Sequence, residues 1–148
     1  MARITSRLSA DTAAYIAGLI DGEGTVTMTR LHASENRRLV VSIANTELQI
    51  LQFVIDAVGA GKITRKKTTS DRHTPSYCYA VTSRQALALL RQILPHMKSY
   101  KRLRARLALD QYEAVTPRNG RYTSSHRIER SKFEANFFAL LPCGKISR

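Results

Sequence analysis

The sequence contains no tryptophan and only two cysteines, Cys78 and Cys143. Neither belongs to a CxxC pair or to a Cys/His cluster of zinc-binding spacing. A disulfide-stapled fold and a zinc centre are therefore excluded. Both thiols are expected in the reduced state, with Cys78 inside a strand. No stretch approaches the roughly 20 apolar residues of a membrane span. The opening residues, Met1 to Ser6, run into polar sequence without the apolar core of a secretory signal, which argues against secretion. Internal repeats and low-complexity tracts are also missing.

Acidic residues are scarce. Asp and Glu total 11 against 24 Lys and Arg, a formal net charge of +13. A small chain this basic meets a polyanion, with nucleic acid the first expectation and an anionic membrane surface the second. A ribosomal-type RNA-binding protein has the same composition. The 148 residues, 43% of them hydrophobic, suffice for one domain with a real core.

Periodicity predicts an α+β chain. A helix over 11–22, with Asp11 as N-cap, stops at Gly22-Glu23-Gly24. Residues 25–31 alternate as a strand, with Val26 and Met28 inward and Thr25, Thr27 and Thr29 outward. A polar loop from His32 to Asn36 leads to a return strand over 37–43, giving a hairpin. A helix over 46–58, with Thr46 in the cap region, carries Leu48, Leu51, Ile55 and Val58 and ends at Gly59-Ala60-Gly61. Strands over 62–68 and 76–82 flank a polar loop. Helices follow over 84–94, closed by Pro95, and over 100–113, with Leu103 and Leu107 inside. Residues 114–130 read as a basic connector and 131–141 as a last helix with Phe133, Phe137, Phe138 and Leu141 apolar. Tyr15, Phe53 and the tail phenylalanines read as core. The whole chain, 1–148, is expected to be one domain, with a core over about 11–113 and a basic extension over 114–148.

One segment is unusual. Tyr15-Ile16-Ala17-Gly18-Leu19-Ile20-Asp21-Gly22-Glu23-Gly24 places two glycines in a helix, where each costs about 1 kcal/mol relative to Ala. Ala14, Gly18 and Gly22 share one stripe, and small residues on a stripe let two helix backbones approach closely. This chain holds a single such helix, so a second copy would supply the partner. Twofold symmetry would then bring two Glu23 carboxylates together at the axis. Paired carboxylates repel unless divalent cations lie between them, and carboxylate oxygen suits Mg2+.

The segment resembles the signature of the LAGLIDADG homing endonucleases, and the element order extends the likeness over roughly 11–113. The resemblance implies an αββαββα fold whose antiparallel sheet forms a saddle for DNA, with a C-terminal helical tail. It implies a homodimer that makes staggered double-strand cuts in a long pseudo-palindromic site, by metal-assisted phosphodiester hydrolysis. Glu23 would ligate Mg2+ with the Gly22 carbonyl close by; Mn2+ or Ca2+ would substitute for binding. No small-molecule cofactor and no membrane are expected, and the protein would lie inside the cell with its host's DNA. Ala14, Gly18, Asp21 and Gly22 would form the dimer interface, Asp21 serving helix-end structure and subunit contact rather than acting as a second acid. The alternative is a relative that lost cleavage and acts as an intron RNA maturase or DNA-binding protein.

The resemblance also implies helper residues. Asn45 holds the place of a polar residue that orders water near the metals, and by residue type it is equally a helix cap. A basic residue follows Pro95: counting back from Arg104-Ala105 selects Lys101, whereas counting forward lands on Tyr100, between Lys98 and Lys101. Lys101 is preferred and Lys98 is second; the plain reading is that both contact phosphates. The sheet's open face would carry Thr27, Thr29, Leu31, Arg38, Val40, Ser42, Thr64, Lys66, Thr68, Tyr77 and Tyr79 toward base edges. Lys62, Arg65, Lys66, Lys67 and Arg72 would meet phosphates. His32, His73, His96 and His126 show no ligand spacing, which excludes an HNH-type or zinc nuclease.

Overall fold

The structure, a computed structural model, describes residues 5–67 and 72–144. Helix α1 spans Ala10–Glu23. Its cap is Ser9, whose hydroxyl accepts from the Thr12 N–H at 3.2 Å. Asp11, expected at the cap, lies in the first turn instead, where its charge suits the helix dipole. Ala13, Ile16, Ala17 and Ile20 form the buried stripe. Strand β1, Gly24–Thr29, follows with no loop between. Only glycine fits that corner: a Cβ on Gly24 would stand 2.6 Å from the Ile20 Cα and 3.0 Å from the Ser42 carbonyl oxygen.

Strand β2, Arg38–Asn45, returns antiparallel to β1, pairing Thr29 with Arg38 and Gly24 with Ile43. Helix α2, Leu48–Val58, is preceded by Glu47 rather than Thr46 and ends at Gly59 in the left-handed region, φ 73°. Strands β3, Lys62–Arg65, and β4, Tyr77–Thr82, complete an antiparallel sheet of order β1-β2-β4-β3. Helix α3, Ser83–Ile93, runs into a 3-10 turn at Leu94–His96 that contains Pro95. Helices α4, Tyr100–Gln111, and α5, Ser124–Ala139, finish the chain. This is the expected α+β order. Among the described residues no helix is long and apolar enough to cross a membrane.

Alternation splits the sheet. Val26, Met28, Leu39, Val41, Ile43, Tyr79 and Val81 face the helices and form the core. Phe133 and Phe137 of α5 belong to the same core. Several sequence expectations fail here. Leu103 is 54% exposed, because α4 buries Arg104, Ala105 and Ala108 instead. Arg104 is admitted to the interior by its partners: Nε donates to the Leu140 carbonyl at 2.9 Å and Nη1 to that of Val26 at 3.0 Å. Its guanidinium also lies over the Tyr100, Phe137 and Phe138 rings. Tyr15 and Phe53, expected in the core, are 46% and 47% exposed and meet edge to face on the surface. Leu141 is exposed, and Leu48 too, since α2 turns Leu51, Val54 and Val58 inward. Helix α5 begins at Ser124, well inside the expected connector, because Thr123 and His126 form a capping box.

A candidate active site beside a nucleic-acid face

Glu23 is the last residue of α1 and is exposed. A carboxylate at a helix C-terminus opposes the dipole, so this position is not explained by helix stability. Asn45, the last residue of β2, reaches it: Nδ2 donates to Glu23 Oε2 at 2.6 Å. The Asn45 Oδ1 accepts the Glu47 N–H at 2.8 Å. That second bond fixes which way the amide faces. Asn45 therefore ties Glu23 to the residue that leads into α2, whose own N-terminus has no side-chain cap.

Two further residues lock the end of α1 to the start of α4. Asp21 accepts from the Lys98 N–H at 2.7 Å, the Ser99 N–H at 3.1 Å and the Ser99 hydroxyl at 2.5 Å. Burial raises the Asp21 pKa, but these hydrogen bonds and the nearby Lys101 charge outweigh it and hold the carboxyl below the ordinary value. Lys101 returns the contact: its Nζ donates to the Ile20 and Asp21 carbonyls at 2.9 and 3.0 Å. Burial holds the Lys101 ammonium below the ordinary lysine pKa, with the Asp21 charge opposing. The Lys101 charge thus caps the carbonyl end of α1, while Asp21 fixes Ser99, the N-cap of α4. Lys101 thus reaches the helix end that carries Glu23, whereas Lys98 contributes its backbone N–H and keeps an exposed side chain. The Asp21 carboxylate is engaged within its own chain, in keeping with the helix-end role expected of it.

Among the described residues, no helix covers the sheet's other face. Thr27 and Thr29 of β1, Arg38, Val40 and Ser42 of β2, and Thr64 of β3 lie on it. Lys66 is exposed just past β3, its N–H donating to the Ser76 carbonyl at 2.8 Å, and Leu31 is exposed past β1. Tyr77 and Tyr79 do not join them. Tyr79 is fully buried, donating its hydroxyl to the Ala60 carbonyl at 2.8 Å, and Tyr77 packs half-buried against the core. Register decides this: Val40 pairs with Thr82, Ser42 with Ala80 and Ala44 with Cys78, so β4 shows Thr82, Ala80 and Cys78 on the open face. The signal was in the sequence, since Tyr77, Tyr79 and Val81 form one apolar alternation. Thr68 lies outside the described residues.

A family model for LAGLIDADG endonucleases matches residues 16–115. The chain belongs to the LAGLIDADG endonuclease family. No curated protein sequence matches it. Among solved structures it is similar to the homing endonuclease I-CvuI in complex with the I-CreI target, at TM-score 0.70 and 20% identity, covering 93% of this chain and 85% of that one. It is also similar to I-Vdi141I, an archaeal intron-encoded homing endonuclease complexed with DNA, at TM-score 0.60 and 15% identity, covering 93% and 89%. The meganuclease I-SmaMI, bound to uncleaveable DNA, matches at TM-score 0.59 and 16% identity, over 84% of this chain but only 44% of its own. At these identities the likeness shows the fold.

In this LAGLIDADG chain the small-residue stripe faces outward. Ala14, Gly18 and Gly22 are exposed and line a shallow recess of about 430 Å³ with Tyr15, Leu19 and Glu23. A Cβ added to Gly18 or Gly22 would meet nothing within 4 Å. The chain's own packing therefore gives no reason for either glycine, although each weakens the helix.

Proposed function

We propose that this chain is one subunit of a homodimeric, site-specific homing endonuclease. It makes staggered double-strand cuts in a long pseudo-palindromic DNA target by metal-assisted phosphodiester hydrolysis. The Glu23–Asn45 pair carries the reading. Asn45 engages one carboxylate oxygen of Glu23, an exposed residue at the end of α1 beside the sheet that would receive DNA.

The donor set fits a hard divalent cation. Mg2+ takes one or two carboxylates and keeps several waters, and Glu23 with the Gly22 carbonyl can supply protein oxygens of that kind. Among the described residues no group of three acidic, His or Cys side chains forms within one chain, which agrees with a site shared between two copies. When bound, the metal would activate water and stabilise the departing oxygen. Asn45 orients the Glu23 carboxylate, and Lys101 holds the carbonyl end of α1 in place. Lys101 is therefore the preferred basic residue of the site, with the exposed Lys98 second.

Two observations support the partners. The outward Ala14–Gly18–Gly22 stripe has unused room that a second α1 would fill, and twofold symmetry would place two Glu23 side by side. The open sheet face presents Thr, Ser and Arg side chains on a chain of net charge +13, suited to base edges and phosphates. The protein then works inside the cell, on its host's DNA.

The test is cleavage selection from a randomised duplex library with Mg2+. Recovery of a pseudo-palindromic site, cut on both strands, is expected. Affinity for that site should fall steeply with salt. A chain that sediments as a monomer at micromolar concentration, while cutting both strands in one encounter, overturns the dimer.

A further inference from the structure

The family match ends at residue 115, yet the helix beyond it grips the DNA-facing sheet. Arg130 of α5 is only 3% exposed. Its Nη1 donates to the Thr116 hydroxyl at 2.7 Å, the Tyr122 hydroxyl at 3.2 Å and the Val115 carbonyl at 3.3 Å. Its Nη2 donates to the carbonyl of Arg37. The guanidinium also lies over the Tyr112 and Tyr122 rings. Arg37 is held twice more from the same helix. Its guanidinium stands 3.8 Å from the Glu134 carboxylate and 5.4 Å from the Phe138 ring centroid. Residues 130, 134 and 138 recur every fourth position, so one stripe of α5 closes on one residue of the sheet.

Arg37 immediately precedes Arg38, which opens β2 and pairs with Thr29 of β1. The hairpin therefore has two anchors. Glu23 and Asn45 join its inner end, and α5 holds its outer end. A buried guanidinium is a poor source of stability, because its desolvation offsets its contacts. What a rigid fork of donors supplies well is geometry.

We propose that Arg130 is a positioning residue for DNA readout, and that by clamping Arg37 it sets where Arg38, Thr29 and Leu31 meet the bases. The proposal rests on the nuclease reading above. β1 runs from Gly24, beside Glu23, to Thr29. At about 3.3 Å per residue this end lies roughly 17 Å from the site, or about five base-pair steps at about 3.4 Å each. Arg130 thus governs the outer base pairs of each half-site and not the inner ones.

The experiment has two arms, using the full chain and Arg130→Gln. The first is amide hydrogen exchange without DNA. Amides of Arg37 to Leu39 should exchange about tenfold faster in the variant, the scale of one lost charged hydrogen bond, with Ile43 to Asn45 unchanged. The second compares base preference, position by position, on the target that the wild-type protein selects from a randomised duplex library. Preference should relax about tenfold at the outer positions only, with the single-turnover rate on the unaltered target kept. Unchanged exchange at Arg37 to Leu39, unchanged preference, or relaxation equal at inner and outer positions overturns the proposal. If Arg130→Gln does not fold, Thr116→Val, which removes the 2.7 Å acceptor, is read in both arms by the same criteria. A wild-type protein that selects no DNA sequence overturns the nuclease reading and the readout role together; a selective wild type with an unaltered variant profile overturns only the role of Arg130.

Discussion

Asn45 Nδ2 lies 2.6 Å from Glu23 Oε2, joining the last residue of β2 to the last residue of α1. Glu23→Gln is expected to abolish cleavage while leaving DNA affinity within a few-fold, because it removes the charge proposed to hold the metal and little shape. Asn45→Ala should lower cleavage by about 10- to 100-fold, the usual effect of losing the partner that orients a metal ligand. Single-turnover cleavage in Mg2+, beside gel-shift affinity in Ca2+, separates the two quantities. Parallel loss of binding and cleavage in Glu23→Gln would assign Glu23 a structural role instead.

The glycines of α1 make an opposed pair of outcomes. A Cβ at Gly18 or Gly22 meets nothing in the single chain, so Gly18→Ala should stabilise an isolated subunit by about 1 kcal/mol. The same methyl, and more so Gly18→Leu, should weaken self-association if two α1 helices meet there. Sedimentation velocity across a concentration series, run with thermal melts, reads both. Unchanged association in Gly18→Leu would move the dimer contact elsewhere.

Tyr79 gives a pH dependence. Burial pushes its hydroxyl well above the ordinary value of 10.0. Above pH 10 the unfolded chain releases a proton that the folded chain retains, so stability is present below that value and declines as pH rises beyond it. Tyr79→Phe should flatten this alkaline loss. It should also cost about 1 kcal/mol at neutral pH by leaving the Ala60 carbonyl without its 2.8 Å donor. Urea melts of both proteins at pH 8 through 11 check the crossing.

Cys78 provides a footprint. It stands on the open face of β4, opposite Ala44 on one side and Thr64 on the other. Target DNA should slow its alkylation by maleimide at least several-fold, with the exposed Cys143 far less affected. Equal rates with and without DNA would place the DNA on another surface.

Much of this was legible beforehand. The element order followed from two periodicities, 3.6 and 2, and from glycines that stop helices at Glu23 and Val58. The motif named Glu23, and the family resemblance pointed to Asn45. Where reading failed, the missing quantity was which neighbour a side chain meets. Tyr77 and Tyr79 were expected on the open face, yet their alternation with Val81 and their pairing with β2 turn them toward the helices. Tyr15 and Phe53 look like core residues by type but find each other on the surface. The start of α5 escaped notice because His126 occupies the capping-box position where Glu or Gln is the usual signal.

The sequence by itself determined the class of chain, the family signature and the acid at its centre, because each is carried by residues close together along one helix or strand. The tertiary structure decided the rest. It showed that Lys101 reaches the Ile20 and Asp21 carbonyls across a sequence separation of about eighty residues, and that Asp21 answers by holding Lys98 and Ser99, the residues leading into α4. It also showed that Arg130 closes on Arg37 across ninety-three. Such contacts join residues remote along the chain, and no local period encodes them. They exist only once the sheet and helices have packed and brought these buried donors to their carbonyls.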